Sequence, residues 1–380
     1  PSRAWAGNQP ASHGVRGGRA DVIPVYPSTP QTPILELITE MHAAGEIKAE
    51  LLTPESEHSA MSACIPASLT GARVFTATSS QGLLLMHELL HYAAGARTSI
   101  VMCNVNRTPA SPWGFWPDQL DSLAQRDTGW VQIYSETPQE SLDSVFQAYR
   151  IAETALVPVM ISHDAFYVSH AVEPVDVPSQ ELVDEFLPAF DAGLRLDNDL
   201  GRSFGAPLDQ NNWNASRREL ADALATVDGL LTDAGREWGD VTGRTYGPLE
   251  FYCCEDAEIV IVTMGSMCGT VRDAVDELRE SGVKAGMIKV RLLRPLPVEA
   301  LRQALAGVPC ALVLDRNYSP GMVGLLHLEL KGSLFAMSDA PRLPGLPAGV
   351  GGVNVSPEKI KQLVTDYRDK DPVVGPVWVE

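Results

Sequence analysis

Iron–sulfur ligand spacing is absent from this 380-residue sequence. Its six cysteines, Cys64, Cys103, Cys253, Cys254, Cys268 and Cys310, include no CxxC pair and no regular framework. That argues against a cluster-bearing chain and against a disulfide-stapled secreted scaffold, and it fits a reducing compartment. Positive charge is also short: 29 Lys and Arg stand against 48 Asp and Glu, a formal net charge of −19. Nucleic acid and anionic membranes are met by basic patches, so neither is expected as a partner. An acidic electron carrier would be repelled as well, which moves any docking site for one onto another chain. Apolar runs such as "AEIVIVTMG" are too short to cross a bilayer, and the opening "PSRAWAGNQPASHG" has no apolar signal core. The expectation is a soluble, cytoplasmic protein.

What is present is a composition of 45% hydrophobic and 20% charged residues, enough for about two domains with real cores. From residue 20 to 110, short apolar strands alternate with amphipathic stretches: "ADVIPVYP", "PQTPILELITEMHAAG", "EHSAMSACIPASLTG", "ARVFTAT", "SQGLLLMHELLHYAAG" and "TSIVMCNV". Ile34, Ile38 and Met41 line one face of the first predicted helix, with Pro30 suited to its start and Gly45 to its end. The alternation predicts a parallel α/β sheet, which "AETALVPVMISHDAF" extends by a helix and a strand. Proline- and polar-rich text follows to about residue 215 and reads as a linker. "RRELADALATVDGLLTDAGREWG" then predicts an acidic amphipathic helix. "DAEIVIVTMGS", "GTVRDAVDELRESG", "VKAGMIKVRLLRP" and "CALVLDR" spell a second, smaller α/β domain. "GSMCGT" lacks both the GxGxxG and GK[ST] patterns and reads as strand-to-helix punctuation rather than a phosphate loop. The Cys253–Cys254 pair reads as ordinary packing beside the first strand of that domain.

One short motif calls for weighing. His87, Glu88 and His91 in "LLLMHELLHYAAG" have the HExxH spacing that sets two imidazoles and a general base on one helix face in zinc peptidases. The usual third ligand is missing, because Ala94 and Arg97 occupy the glycine and histidine places of the longer motif. A distant glutamate such as Glu136 or Glu140 would have to supply it, and neither sits in an obvious helical partner motif. The plainer reading is a core helix with Leu83, Leu84, Met86, Leu89 and Leu90 buried, and no metal is expected.

Around that motif the sequence is more specific. "TPESEHSAMSACIPASLTGARVFTATSSQGLLLMHELL", together with "YPSTPQTP", "NVNRTPASPWGFWPDQLDSLAQRDTGWVQ", "PVMISHDAFYVSH" and "LDRNYSPG", resembles the alpha chain of 2-oxoacid:ferredoxin oxidoreductases, nearest the pyruvate class. The likeness is strong over about 18–195 and looser over about 245–355. It implies a pyrimidine-binding, thiamine diphosphate (TPP) type α/β domain over 1–205, a linker with a helix over 206–248, and a domain like the transketolase C-terminal domain over 249–380. It also implies TPP shared with a beta subunit that holds the diphosphate and Mg²⁺ through a GDG motif, which is absent from this chain. Iron–sulfur clusters would sit on partners, including gamma- and delta-type subunits, with CoA as co-substrate and ferredoxin or another acceptor taking the electrons. The activity implied is oxidative decarboxylation of a 2-oxoacid to acyl-CoA and CO₂.

The resemblance also implies roles. Glu57 matches the glutamate beside N1′ of the aminopyrimidine, where a carboxyl makes the 4′-amino side basic enough to take the C2 proton; by position alone it would be a first-turn charge favoured by the helix dipole. Glu55 is the neighbour expected to be replaceable. Arg107 matches the arginine that binds the substrate carboxylate in a two-pronged fork, and Thr29 the threonine whose hydroxyl faces the substrate, with a helix cap before Pro30 as its ordinary role. Pro27 and Ser28 accompany Thr29 at the cofactor and substrate side. After Arg107, Trp113, Phe115 and Trp116 crowd a loop stiffened by Pro117. They predict either a pocket for a larger, aryl 2-oxoacid such as phenylglyoxylate or packing against a partner chain.

Overall fold

The structure, a computed structural model, describes residues 2–370 and 375–379. Two five-stranded sheets organise it. In the first the strand order is Leu292–Arg294, Val131–Ser135, Val159–Asp164, Val101–Asn106 and Phe75–Thr78. The last four run parallel, and their residues are buried almost throughout, as expected of strands covered on both faces. Val22–Pro24 and Glu50–Leu52 form a small parallel pair, joined to this sheet by a bridge from Val22 to Val74. Helix Pro138–Ala155 packs on helix Asn8–Gly17, where Gly14 permits the approach: a Cβ there would come within 2.8 Å of Val145 Cβ.

In the second sheet the order is Gly345–Pro347, Cys310–Asp315, Ile259–Thr263, Ala285–Val290 and Leu249–Tyr252, with only the last strand antiparallel. Alternate residues of its central strand serve two cores. Ile259 and Ile261 join helices Met267–Glu280 and Pro357–Tyr367, while Val260 and Val262 join Val298–Leu305 and Leu325–Ser333. This continuous apolar strand is what "AEIVIVTMG" encodes.

Three predicted elements differ in the structure. "VKAGMIKVRLLRP" is not one strand: it breaks at Arg291, and Leu292–Arg294 crosses to pair antiparallel with Val131–Ser135 of the first sheet. The break falls where the buried guanidinium donates to Glu140 Oε1 at 2.6 Å and to Ser144 Oγ and Gln147 Oε1 at 2.7 Å. The acidic helix is two, Gln210–Ala225 and Val227–Thr242. The second buries Trp238 against Phe146 and Phe186, so this segment joins the first core instead of hanging free. The first predicted helix begins at Thr32 after Gln31, with Pro33 in its first turn, rather than at Pro30. Thr29 is therefore not its cap.

A buried ion network fastens the two halves. Lys289 Nζ, on the second sheet, donates to Glu136 Oε2 and Glu140 Oε2 at 2.8 Å each. Arg272 grips Glu136 with both prongs, and Arg291 takes the other oxygen of Glu140. Burial alone would raise the Glu140 carboxyl, but Lys289 and Arg291 outweigh it and hold it below its ordinary value. Burial would likewise lower the Lys289 ammonium, and Glu140 and Glu136 reverse the sign.

Candidate active site

Glu57 opens helix Glu57–Leu69, whose cap is Ser56 Oγ accepting from the Ser59 amide at 3.2 Å. A carboxylate at this first position is favoured by the helix dipole. Its backing is specific. Helix Gln81–Leu85 presents Gly82, and a Cβ on that glycine would lie 2.4 Å from Glu57 Oε1 and 2.5 Å from Thr78 Oγ1. The Thr78 hydroxyl is buried and, among the described residues, without a hydrogen-bond partner. The half-buried Glu57 carboxyl takes no hydrogen bond from the described residues. Exposed Glu55, in contrast, accepts from Ser59 Oγ. The glutamates differ in burial and engagement, though they stand two residues apart.

Arg107 follows the strand Val101–Asn106 and is 8% exposed. Its guanidinium donates to the Thr29 carbonyl and to Gln81 Oε1, while its Nε–H is buried without a partner among the described residues. The Trp113 and Phe115 rings lie 4.9 Å and 5.5 Å from its Cζ and meet edge to face. Burial pushes the guanidinium below its ordinary value against the pull of Asp121 and Glu57. The loop is pinned by Thr108, whose Oγ1 donates to the Gly114 carbonyl and accepts from its amide. Ser28 Oγ donates to the Ser79 carbonyl at 3.3 Å. Pro27 and Thr29 are exposed. Trp116 turns elsewhere, onto Phe166 and Tyr167, with Gly352 of the second half against its Cβ. Arg107, Thr29, Glu57, Trp113 and Phe115 thus gather around the turn at 79–82, and Trp116 joins a different cluster.

Asp121 has no counterpart among the sequence-based candidates. It is fully buried behind that turn, and burial, opposed by hydrogen bonds from Asn104, Ser122, Arg107 and Ser80, pushes its carboxyl up to about 7. Its donors come from three chain segments, at Ser80, at Asn104 and Arg107, and at Ser122, so no spacing in the sequence announces it.

The HExxH residues are exposed. His87 Nδ1 bonds Gln125, the His87 and His91 rings meet edge to face at 5.1 Å, and the Glu88 side chain is 87% exposed. Leu84 and Leu85, at 37% and 51% exposure, show that the helix is less buried than its apolar text predicts. Glu136 and Glu140 are committed to Lys289, Arg272 and Arg291. Among the described residues, no group of three His, Cys, Asp or Glu side chains is placed to hold a metal ion, and no helix is long and apolar enough to cross a membrane.

A cleft of about 750 Å³ on helix Asn8–Gly17, lined by Trp5, His13, Arg16 and Glu40, includes none of the residues around Glu57. Gly82→Ala tests the backing. The clash is with side chains, the Glu57 Oε1 and Cγ and the buried Thr78 Oγ1, and not with backbone, so Glu57, the more exposed of the two, yields by about an ångström. Turnover is expected to fall about 10- to 100-fold, with a melting temperature within a few degrees of wild type. Unchanged turnover would show that Glu57 is not held by this glycine.

Residues 13–223 match the family profile described as pyruvate flavodoxin/ferredoxin oxidoreductase, thiamine diphosphate-binding, and residues 257–360 match pyruvate:ferredoxin oxidoreductase core domain II. The chain is 44% identical over 374 residues to pyruvate synthase subunit PorA of Methanothermobacter thermautotrophicus, covering 98% of this chain and 96% of that one. It is 45% identical over 365 residues to ketoisovalerate oxidoreductase subunit VorA of Pyrococcus horikoshii, covering 96% and 93%. Among solved structures it is similar in fold to the 2-oxoglutarate:ferredoxin oxidoreductase of Magnetococcus marinus, with TM-score 0.75 and 20% identity over 97% of this chain. It spans 65% of that structure's chain. A split-gene transketolase follows at TM-score 0.57 and 12% identity, covering 96% and 98%.

Proposed function

Because the chain belongs to the pyruvate:ferredoxin oxidoreductase family, as an alpha subunit of a TPP-dependent 2-oxoacid oxidoreductase, we propose that Glu57, Arg107 and Thr29 form its half of a shared active site. The substrate we assign is an apolar 2-oxoacid, pyruvate or a larger one. The observation that carries this reading is the convergence of a carboxyl left free of hydrogen bonds among the described residues, Glu57, with an aromatic-capped cation, Arg107, on one turn.

The donor set fits the aminopyrimidine end of TPP. Glu57 offers a carboxyl, and Gly82 leaves the space a Cβ would fill. When bound, the cofactor supplies the carbon nucleophile that attacks the ketone. Glu57 holds and returns a proton at its carboxyl oxygen. Arg107, fixed by the Thr29 carbonyl and Gln81, receives the substrate carboxylate, and the exposed Thr29 offers its hydroxyl to the substrate. Trp113 and Phe115 exclude water from the guanidinium, which strengthens its hold on an anion.

Mg²⁺ and the diphosphate belong, in this reading, to a beta subunit, and the iron–sulfur clusters to further partners of gamma and delta type. The six cysteines here, spread and mostly buried, offer no cluster ligation. The exposed Leu84, Leu85 and Tyr92, beside the apolar groove of Ile65, Pro66, Leu69 and Leu89, form the surface we assign to the beta subunit. We keep the division 1–205, 206–248 and 249–380, with Leu292–Arg294 lent back to the first sheet, and place the complex in the cytoplasm.

A second reading, an aryl 2-oxoacid, is favoured by the 54% and 42% exposure of Trp113 and Phe115 beside Arg107. The test is the complex purified through this chain, given TPP, Mg²⁺ and CoA. Reduction of a low-potential dye is followed with pyruvate, 2-oxoisovalerate, phenylglyoxylate, 2-oxoglutarate and oxalate. Highest kcat/KM with pyruvate or 2-oxoisovalerate is expected. Preference for phenylglyoxylate would make Trp113 and Phe115 an aryl pocket, and silence with every acid would overturn the assignment of Glu57, Arg107 and Thr29.

A further inference from the structure

We propose that Asp121 is a positioning residue that locks the Arg107 main chain and the turn backing Glu57 into one frame, so that substrate binding depends on a carboxylate that never touches substrate. The inference rests on the reading of Arg107 and Glu57 given above and adds what holds them in register.

The geometry is that of a buried hub. Oδ2 of Asp121 accepts from the Ser80 amide at 3.0 Å, the Arg107 amide at 3.2 Å and Asn104 Nδ2 at 3.2 Å, while Oδ1 accepts from the Ser122 amide at 2.7 Å. Ser80 has φ 49° and ψ −115°, a conformation a residue with a Cβ keeps only when its surroundings impose it. Two bonds impose it: its amide on Asp121, and its Oγ on the Thr108 carbonyl at 2.6 Å. The next two residues are the functional ones. Gln81 holds the Arg107 side chain, and Gly82 faces Glu57.

One oxygen therefore sets the main chain at both ends of the Gln81–Arg107 contact. Removing its charge leaves buried donors competing for fewer acceptors, and release of Ser80 moves Gln81 and Arg107 together. An asparagine can turn its oxygen to the three donors, but its amide nitrogen then opposes the Ser122 N–H.

The experiment is a double-mutant cycle in the assembled complex, with Asp121→Asn, Arg107→Met and the pair, reading KM and kcat for the best 2-oxoacid beside melting temperature. Asp121→Asn alone is expected to raise KM about tenfold or more. In the Arg107→Met background it should change KM less than about twofold, because the clamp it positions is already gone. Multiplicative effects would overturn the proposal and leave the reading of Arg107 standing. A wild-type KM in Arg107→Met would overturn both. If Asp121→Asn does not assemble, Ser80→Ala cuts only the Thr108 tie, and the same non-additive KM pattern is expected at smaller size. An additive pattern there would likewise overturn the proposal.

Discussion

Replacing Glu57 by glutamine is expected to lower kcat of the assembled complex by about 10²- to 10⁴-fold, the range seen when a general acid–base group is lost, while KM for the 2-oxoacid stays within a few-fold. The amide keeps the size and a hydrogen-bonding atom of the carboxyl, so the helix start and the Gly82 contact survive. What it loses is a group able to hold and return a proton. Helix Glu57–Leu69 keeps its Ser56 cap in the variant, so melting temperature is expected to stay near wild type. Glu55→Gln is the control. That side chain is exposed and bonds Ser59 Oγ, and its replacement is expected to leave kcat unchanged. Wild-type turnover in Glu57→Gln, or equal losses in the two variants, would remove Glu57 from the chemistry. A loss confined to KM would move it from proton transfer to binding.

Glu57 and Arg107 are proposed from the resemblance carried by the short runs "ESEHSA" and "NVNRTP"; by position alone Glu57 is only a first-turn charge. Asp121 is the opposite case. Its function lies in accepting bonds from Ser80, Asn104, Arg107 and Ser122, three of them main-chain amides, which any residue type would supply. The sheet strands were readable because strands covered on both faces are apolar at every position, as in Ile259–Thr263. The ends of elements were not. The breaks at Arg291 and Thr226 are imposed by tertiary demands, a guanidinium reaching for Glu140 and Trp238 reaching for Phe146 and Phe186. The HExxH spacing misleads for the same reason. A spacing fixes which side chains share a helix face, but only the rest of the fold supplies a third ligand, and here the distant glutamates are taken by cations.

Those cations carry the last expectation, because Lys289→Met should be strongly destabilising although it lies away from the active site. Methionine fills the space of the lysine stem but leaves Glu136 and Glu140, 9% and 1% exposed, without the ammonium that bridges them. Breaking a buried ion pair in this one-sided way costs about 3–5 kcal/mol. Arg291 and Arg272 each hold one of the two glutamates and keep the loss from being larger, whereas an exposed pair such as Arg236–Asp233 contributes about 0–1 kcal/mol. The pH dependence separates this from simple loss of packing. Glu140 has a folded value below its ordinary 4.5, so the stability it contributes is present above 4.5 and is lost as pH falls through the folded value. Lys289 has a folded value above its ordinary 10.5, so its contribution is present below 10.5 and is lost as pH rises through the folded value. Between about 5 and 10 the Glu140 and Lys289 contributions are both present. In Lys289→Met, burial of Glu140 is no longer offset by the ammonium, so the variant is penalised for every pH at which that carboxyl must ionise. Denaturant unfolding of the complex at pH 8 and at pH 4.5 should therefore show a wild-type-to-variant gap that narrows at the lower pH. An equal gap at both would mean that lost packing, not the uncompensated carboxylates, accounts for the effect.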